Sequence, residues 1–279
     1  MTANYTVPKR VITIHSLAGF GRSSTAIILP VLSAMGIQCC PVPTAVLSTH
    51  TGGLGAPSVT SLSHQLPGTL AHYKQLPAEF AGLYTGYLGG EEQVESCIEY
   101  CNSFPYAFKL VDPVMGDNGK AYSGISDQLI KKIDTLCSHA DVITPNSTEA
   151  ALLLNEDPSD LTFTDQKAQN WGSRLCEICA KVVITGAQFE DGKYNLIFEN
   201  GVMSKQSIDY VQAGYPGTGD LFAATMLGSI LNGNSLQDAV AFAADFVHDC
   251  IVYTVGCGTD SRFGVSFEPL MHKLTEAVK

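Results

Sequence analysis

The chain has 279 residues, 45% hydrophobic and 15% charged, with a formal net charge of −11. That size and composition suit one large α/β domain over residues 1–279 with a sizeable core. The acidic balance, without a basic run, argues against binding nucleic acid through its phosphates and against an anionic membrane surface.

In chain order, the opening MTANYTVPKRVITIH has no basic region ahead of a long apolar core, so no signal peptide is expected. No apolar stretch reads as reaching the roughly 18 to 20 residues of a membrane helix. Strand-like runs then alternate with helical patterns. Arg10–His15, Ile37–Pro43, Ala81–Gly86, Phe108–Pro113, Asp141–Asn146 and Lys181–Gly186 read as buried strands. Ser24–Met35, Glu91–Ser103, Ser126–Ser138 and Asp165–Ala180 read as helices between them. Such alternation marks a mostly parallel sheet covered on both faces. After Gly186, two further strand-like runs, KYNLIFE and VMSKQSIDY, flank Asn200-Gly201, a strong hairpin turn, so the C-terminal edge of the sheet is expected to turn antiparallel. Two long helices are expected to follow, through LQDAVAFAADFVHDCIVYTV, where His248 reads as core, and FEPLMHKLTEAVK.

Nine scattered cysteines, an odd number, point to a reducing cytoplasm. Cys176-Glu-Ile-Cys179 has a redox or metal spacing but falls in a helical pattern with no second pair, and structural thiols are the expectation. The sequons at Asn4 and Asn146 carry no weight without secretion.

Ligands of open α/β sheets bind beyond the carboxyl ends of the strands. At those ends lie His15-Ser16, then Asp112 with Asp117 five residues on, then Thr144, Asn146 and Glu149, and then Thr185-Gly186. Gly19-Phe-Gly21-Arg-Ser-Ser24 fails the dinucleotide fingerprint because Ser24 stands where its last glycine belongs, and no Gly-Lys-Ser/Thr forms a Walker loop. Gly217-Thr218-Gly219-Asp220 opens a helix that is apolar nearly all round from Leu221 to Leu231 and should be buried. Free amides at that helix start can surround an oxyanion. Asp220 is then either a helix cap or a group that orients an acceptor alcohol, and the helix start should keep its carboxylate a weak base. Asp112 and Glu149 are candidate Mg²⁺ ligands, directly or through water, or else loop caps. Ser16 and Thr51 alone would read as turn residues, His15 and His50 as structural, and Tyr87 as core or substrate contact.

The ordered motifs VDPVMGDNG, VITPNSTEA, VVITG and GTGDLFAA resemble the ribokinase-like small-molecule kinases, and HSLAGFG, LSTHTGG and TGYLGG resemble their pyridoxal kinase branch. The resemblance runs from Ile12 to about Val255. It implies a ribokinase-like three-layer α/β/α sandwich that transfers the ATP γ-phosphoryl group to the 5′-hydroxymethyl of pyridoxal, pyridoxine or pyridoxamine. By the same resemblance, Asp220 matches the catalytic Asp, with Gly217, Thr218 and Gly219 as the anion hole. Asp112, Thr144, Asn146, Glu149, Thr185 and Gly186 match the ATP and Mg²⁺ site. Ser16 and Thr51 match substrate contacts, with His50 and Tyr87 nearby, and Asp117 and Tyr122 match a lid. A cytoplasmic homodimer is implied, with potassium as a candidate second cation. One departure is GGLGAPSV, Gly52–Val59, which lacks the aromatic residues many members carry there. It leaves open hydroxymethylpyrimidine kinase, with a sugar kinase behind, and a non-catalytic binding protein on the same fold.

Overall fold

A computed structural model describes residues 7–276, so the Asn4 sequon lies outside the described residues. The strands are β1 (Arg10–Phe20), β2 (Gln38–Thr49), β3 (Val59–Ser61), β4 (Gly82–Thr85), β5 (Phe108–Val111), β6 (Gly116–Asp117), β7 (Lys120–Ala121), β8 (Val142–Ile143), β9 (Lys181–Phe189), β10 (Gly192–Glu199) and β11 (Val202–Ile208). The helices are α1 (Thr25–Ala34), α2 (Leu66–Tyr73), α3 (Glu91–Ser103), α4 (Asp127–Cys137), α5 (Ser147–Leu154), α6 (Asp165–Ile178), α7 (Thr218–Leu231), α8 (Leu236–Cys257) and α9 (His272–Glu276). Nine strands form one sheet in the order β11-β10-β9-β8-β5-β4-β1-β2-β3, and β6 and β7 form a separate hairpin. Pairing is parallel from β2 through β1, β4, β5 and β8 to β9. It turns antiparallel through β10 and β11, as Asn200-Gly201 foretold, and also at β3 on the opposite edge, which no sequence signal announced.

The absence of polar alternation follows from burial on two sides. On β1, Ile12 and Ile14 enter a core shared with residues of α2 to α6, whereas Val11 enters a second core shared with α1, α7 and α8. The result is three layers, helix–sheet–helix. β1 lies inside the sheet with β2 on one side and β4 on the other, so the strand order reverses there. That reversal opens the crevice in which such sheets take ligands.

Three expectations are corrected. β1 runs on through a bulge after His15 to Phe20, so the glycine-rich segment begins inside the strand. The last run is not one long helix: a 3₁₀ turn at Glu268–Leu270 precedes the short α9, because Pro269 cannot continue a helical ladder from upstream. His248 is half-buried at the surface, its Nδ1 2.8 Å from the Asp209 carbonyl oxygen. In addition, α8 is long and apolar enough, at mean hydropathy 1.4, to meet the length and composition of a membrane span, which the sequence reading had not allowed. Its buried stripe, Leu236, Ala239, Val240, Ala243, Phe246 and Cys250, packs in the same core as α7. Cys179 is buried with Sγ against the Ala140 and Lys181 carbonyls, the environment of a structural thiol, and Cys176 is half-buried.

Candidate active site

Helix α7 explains why an acid stands at the mouth of an apolar helix. All residues from Leu221 to Ser229 are buried, so the helix is held by its body and its N-terminus is free for chemistry. Gly217 is the N-cap at φ +84° and supplies no side chain to the first turn. Elsewhere Ser126, Thr164 and Ser235 cap α4, α6 and α8 with their side chains. The first-turn amides of α7 have no partner within the helix by its geometry. Thr218 Oγ1 turns back to the Tyr215 carbonyl at 3.2 Å, and Gly219 is exposed.

Asp220 does not cap its own helix. Its Oδ2 accepts the backbone N–H of Ser24 at 2.7 Å, joining α7 to the start of α1. Its carboxyl pKa rises to about 6, because burial outweighs the stabilising Ser24 amide. Desolvation therefore runs against the weak-base expectation drawn from the helix start.

Ser24 was not anticipated as a site residue. It is buried, holds φ +50° and ψ −132°, and its Oγ lies 3.4 Å from Ser16 Oγ. Only its replacement of the fingerprint glycine hinted at this, since those dihedrals are ones glycine adopts freely. Around it the chain is closely fitted. The Arg22 side chain pairs with Glu268 at 2.7 Å, and its carbonyl sits against Gly217. On its far side a cavity of about 360 Å³ is lined by Phe20, Arg22, Phe263 and Glu268, and the only acid in it is already paired with Arg22.

His50 is corrected. It is buried, Nδ1 accepts the Gly52 N–H at 2.9 Å, and Nε2 lies 2.8 Å from the Arg262 carbonyl. Because Nδ1 must accept, the proton is on Nε2, and neither nitrogen is left for a ligand. His50 is a joint between the Thr51–Gly53 turn and the C-terminal segment. Replacing it with Ala should cost about 2 kcal/mol by stranding both backbone groups, seen as a lower melting temperature. A raised KM for the acceptor at unchanged melting temperature would return it to the substrate pocket.

The strand-end acids converge across β5 and β8. Asp112 and Glu149 are buried, and both carboxyls are raised well above the ordinary range, by desolvation first and then by neighbouring acid charge: Asp220 acts on Asp112, and Asp112 on Glu149. Among the described residues no salt bridge joins these three acids to Lys or Arg, and no three His, Cys, Asp or Glu side chains gather as a metal cluster. Glu149 completes a capping box with Asn146, Oε2 accepting the Asn146 N–H at 2.8 Å and Oε1 the Met115 N–H at 3.1 Å. The loop-capping role is therefore real for Glu149. Asp112, by contrast, uses its backbone N–H to the Thr85 carbonyl at 2.9 Å. Thr144 is buried, and its side chain acts on the Asp112 carboxyl, offsetting part of the rise that burial causes.

The β6–β7 hairpin is tied to α5. Asn146 Nδ2 donates to the Gly116 carbonyl at 2.8 Å, and the Gly119 N–H donates to Thr148 Oγ1 at 2.9 Å. Asp117 on this hairpin is exposed and bonds Asn118, while Tyr122 at its base has its phenol pKa raised by burial and then by Asp117, Glu149, Asp112 and Asp220. The base of the hairpin is thus close enough to the acids to feel their charge. Thr185 donates its N–H to the Pro145 carbonyl at 2.9 Å, and Gly186, at φ +66°, donates to Asn195 Oδ1 at 3.2 Å. Buried Asn195 was missed because an Asn inside a strand has no local signature.

Ser16 joins the Ser24–Asp220 chain, and Thr51 is exposed on the turn whose Gly52 lies against Pro216, next to the α7 start. Tyr87, also exposed, makes no hydrogen bond or ring contact with these acids among the described residues.

Comparison with known proteins supports the fold and the family. The family model described as phosphomethylpyrimidine kinase matches residues 29–263. A Bacteroides thetaiotaomicron protein, provisionally described as a phosphomethylpyrimidine kinase and solved with pyridoxal, is 35% identical with a TM-score of 0.91, covering 96% of each chain. Lactobacillus plantarum pyridoxal kinase is 30% identical with a TM-score of 0.90, covering 96% of this chain and 97% of that one. The Arabidopsis thaliana thiamine biosynthetic bifunctional enzyme is 27% identical over 94% of this chain, which spans only 52% of that longer protein. With a ribokinase-like sandwich shared along nearly its whole length and a family match over most of it, the chain belongs to the phosphomethylpyrimidine kinase family.

Proposed function

We propose that this chain transfers the γ-phosphoryl group of ATP to the 5′-hydroxymethyl group of pyridoxal, pyridoxamine and pyridoxine. The observation that carries the proposal is one carboxylate, Asp220, anchored by the Ser24 N–H beside the uncapped first turn of α7. Phosphoryl transfer asks for little covalent help and much positioning, with donors placed where charge collects. In this reading Asp220 Oδ1 orients the acceptor hydroxyl and takes its proton late, and the amides of Thr218, Gly219 and Asp220 receive the migrating phosphoryl oxygens. A carboxyl near pH 6 is ionised at neutral pH yet basic enough to accept that proton.

The nucleotide phosphates would lie along the ends of β8 and β9, at Thr144, Thr185 and Gly186. The unpaired acids Asp112 and Glu149 fit a divalent cation, with Glu149 reaching it through water because two amides already occupy its oxygens. Mg²⁺ there would neutralise phosphate charge. Ser16, Thr51 and Tyr87 would face the pyridine ring, under a lid carrying Asp117 and Tyr122. The pyridoxal held by the Bacteroides relative supports a vitamin B6 acceptor.

The test is ADP release from Mg-ATP with the three vitamers and hydroxymethylpyrimidine in parallel. Turnover on the vitamers is expected. Turnover confined to the pyrimidine would move the substrate to the family model's own chemistry, and ligand binding without ADP would leave a binding protein.

A further inference from the structure

We infer that Ser24 is a positioning residue for Asp220, acting through its backbone N–H and not through its side chain. The inference rests on the phosphoryl transfer proposed above. It begins with the two oxygens of one carboxylate. Oδ2 of Asp220 accepts the Ser24 N–H at 2.7 Å, whereas Oδ1 has no hydrogen bond among the described residues. A carboxyl with one oxygen fixed cannot spin about its terminal bond, so a single oxygen stays directed at the acceptor alcohol. Holding a reacting group in one orientation is a recognised source of rate enhancement.

Fixing that oxygen requires the amide to point inward, and the backbone at residue 24 does this in an unfavourable way. At φ +50° and ψ −132° Ser24 has the dihedrals of the first central residue of a type II′ turn, where glycine is the ordinary occupant. A residue bearing a Cβ persists there only where its surroundings over-determine it. Those surroundings are visible on every side. Leu17 bridges to Ser24 from β1, and the preceding Arg22 is held by Glu268. Gly264 and Gly217 leave no room for the Arg22 backbone to shift: a Cβ on Gly264 would meet the Arg22 carbonyl oxygen at 3.0 Å, and one on Gly217 would meet it at 2.2 Å. The strain is therefore placed at the one residue whose N–H reaches the reactive acid.

The helix makes no claim on this N–H. Ser24 is the N-cap of α1, so its amide lies outside the helical ladder, and its side chain makes no capping bond. The Oγ contact with Ser16 is long, at 3.4 Å, and supports the segment more than the acid.

The experiment replaces the amide alone. Ser24→Ala keeps the N–H, and its ester counterpart, with the α-hydroxy analogue of alanine installed at position 24, has oxygen in place of that N–H. Both are assayed with the acceptor that wild type phosphorylates. Ser24→Ala should keep kcat within about threefold of wild type. The ester should lose about 10- to 100-fold in kcat relative to Ser24→Ala, the scale of a hydrogen bond to a charged group, with acceptor KM unchanged. Ser24→Gly, which keeps the N–H and removes the strain, should hold kcat and raise the melting temperature. Equal kcat for the ester and Ser24→Ala would overturn the inference, as would a loss confined to KM. A Ser24→Gly protein no more stable than wild type would overturn the strain argument. Silence of the wild type on every acceptor would overturn the proposed reaction and the inference with it, so the two failures are told apart by the wild-type assay.

Discussion

Asp220→Asn should lower kcat by about 10³-fold while leaving pyridoxal affinity within about threefold of wild type. The Asn side-chain oxygen can still accept the Ser24 N–H, so the anchoring geometry survives the substitution and only the proton acceptor is lost. The same variant should be more stable than wild type at pH 7–8. A carboxyl enclosed by protein whose pKa rises from 3.8 to about 6 opposes folding when ionised, by at most about 3 kcal/mol and by about 1–2 after allowing for the partial exposure of the residue. Parallel kinetics and thermal melts check both halves. Equal losses in binding and turnover would remove the proton-accepting role, and a less stable variant would contradict the burial that raises the carboxyl.

The sign of the pH dependence follows from the same residue. Because the folded pKa is raised, the folded state holds its proton longer than the unfolded chain. Its stabilising contribution is full below about pH 4 and is lost as pH rises through about 6. Turnover runs the other way, falling below about pH 6 as Asp220 is protonated. Asp112 and Glu149, raised by burial and shared charge, act on stability in the same direction as Asp220. Activity and apo-stability are therefore opposed across this window. A cation between Asp112 and Glu149 would relieve that opposition by favouring their ionised forms.

How much of this was legible beforehand depended on whether the signal was local. The parallel strands were legible because each is a short apolar run, and the β10–β11 hairpin because Asn-Gly permits few other conformations. Helix α7 could be recognised from its apolar circumference and its glycine turn. The role of Ser24 and the partners of His50 were not legible, since each is defined far along the chain, by Asp220 and by Arg262 respectively, whereas Asn195 meets Gly186 only nine residues away but gives no local sign of it. The pKa of Asp220 was misjudged for a related reason. The helix terminus is written in the sequence, whereas the depth of protein around the carboxyl is set by the packing of α1 against α7. The capping box at Asn146 and Glu149 was spelled out in the local pattern, and loop capping was one of the two readings given for the acid beside cation binding.

Gly217→Ala should be the most damaging small substitution in the site. At φ +84° any residue with a Cβ is strained, and here that Cβ would also lie 2.2 Å from the Arg22 carbonyl oxygen and 2.5 Å from Ile27 Cδ1. Neither neighbour can give way easily. Ile27 is fully buried between α1 and α7, and Arg22 is fixed by Glu268 and Gly264. The turn must swing outward instead, at a cost of about 3 kcal/mol, carrying the first amides of α7 away from the phosphoryl path. Losing aligned donors of this kind costs about 10²- to 10³-fold in kcat. Gly219→Ala is the control, because a Cβ there meets nothing within 4 Å and lies inside the helix, where alanine is preferred by about 1 kcal/mol. It should leave stability equal or higher while crowding the incoming phosphate, raising the KM for ATP or lowering kcat. Denaturant melts and initial-rate kinetics on the two variants separate the roles: Gly217 holds the turn in place, and Gly219 keeps it open. If Gly219→Ala left every kinetic constant unchanged, the phosphoryl group would have to be received somewhere other than the start of α7.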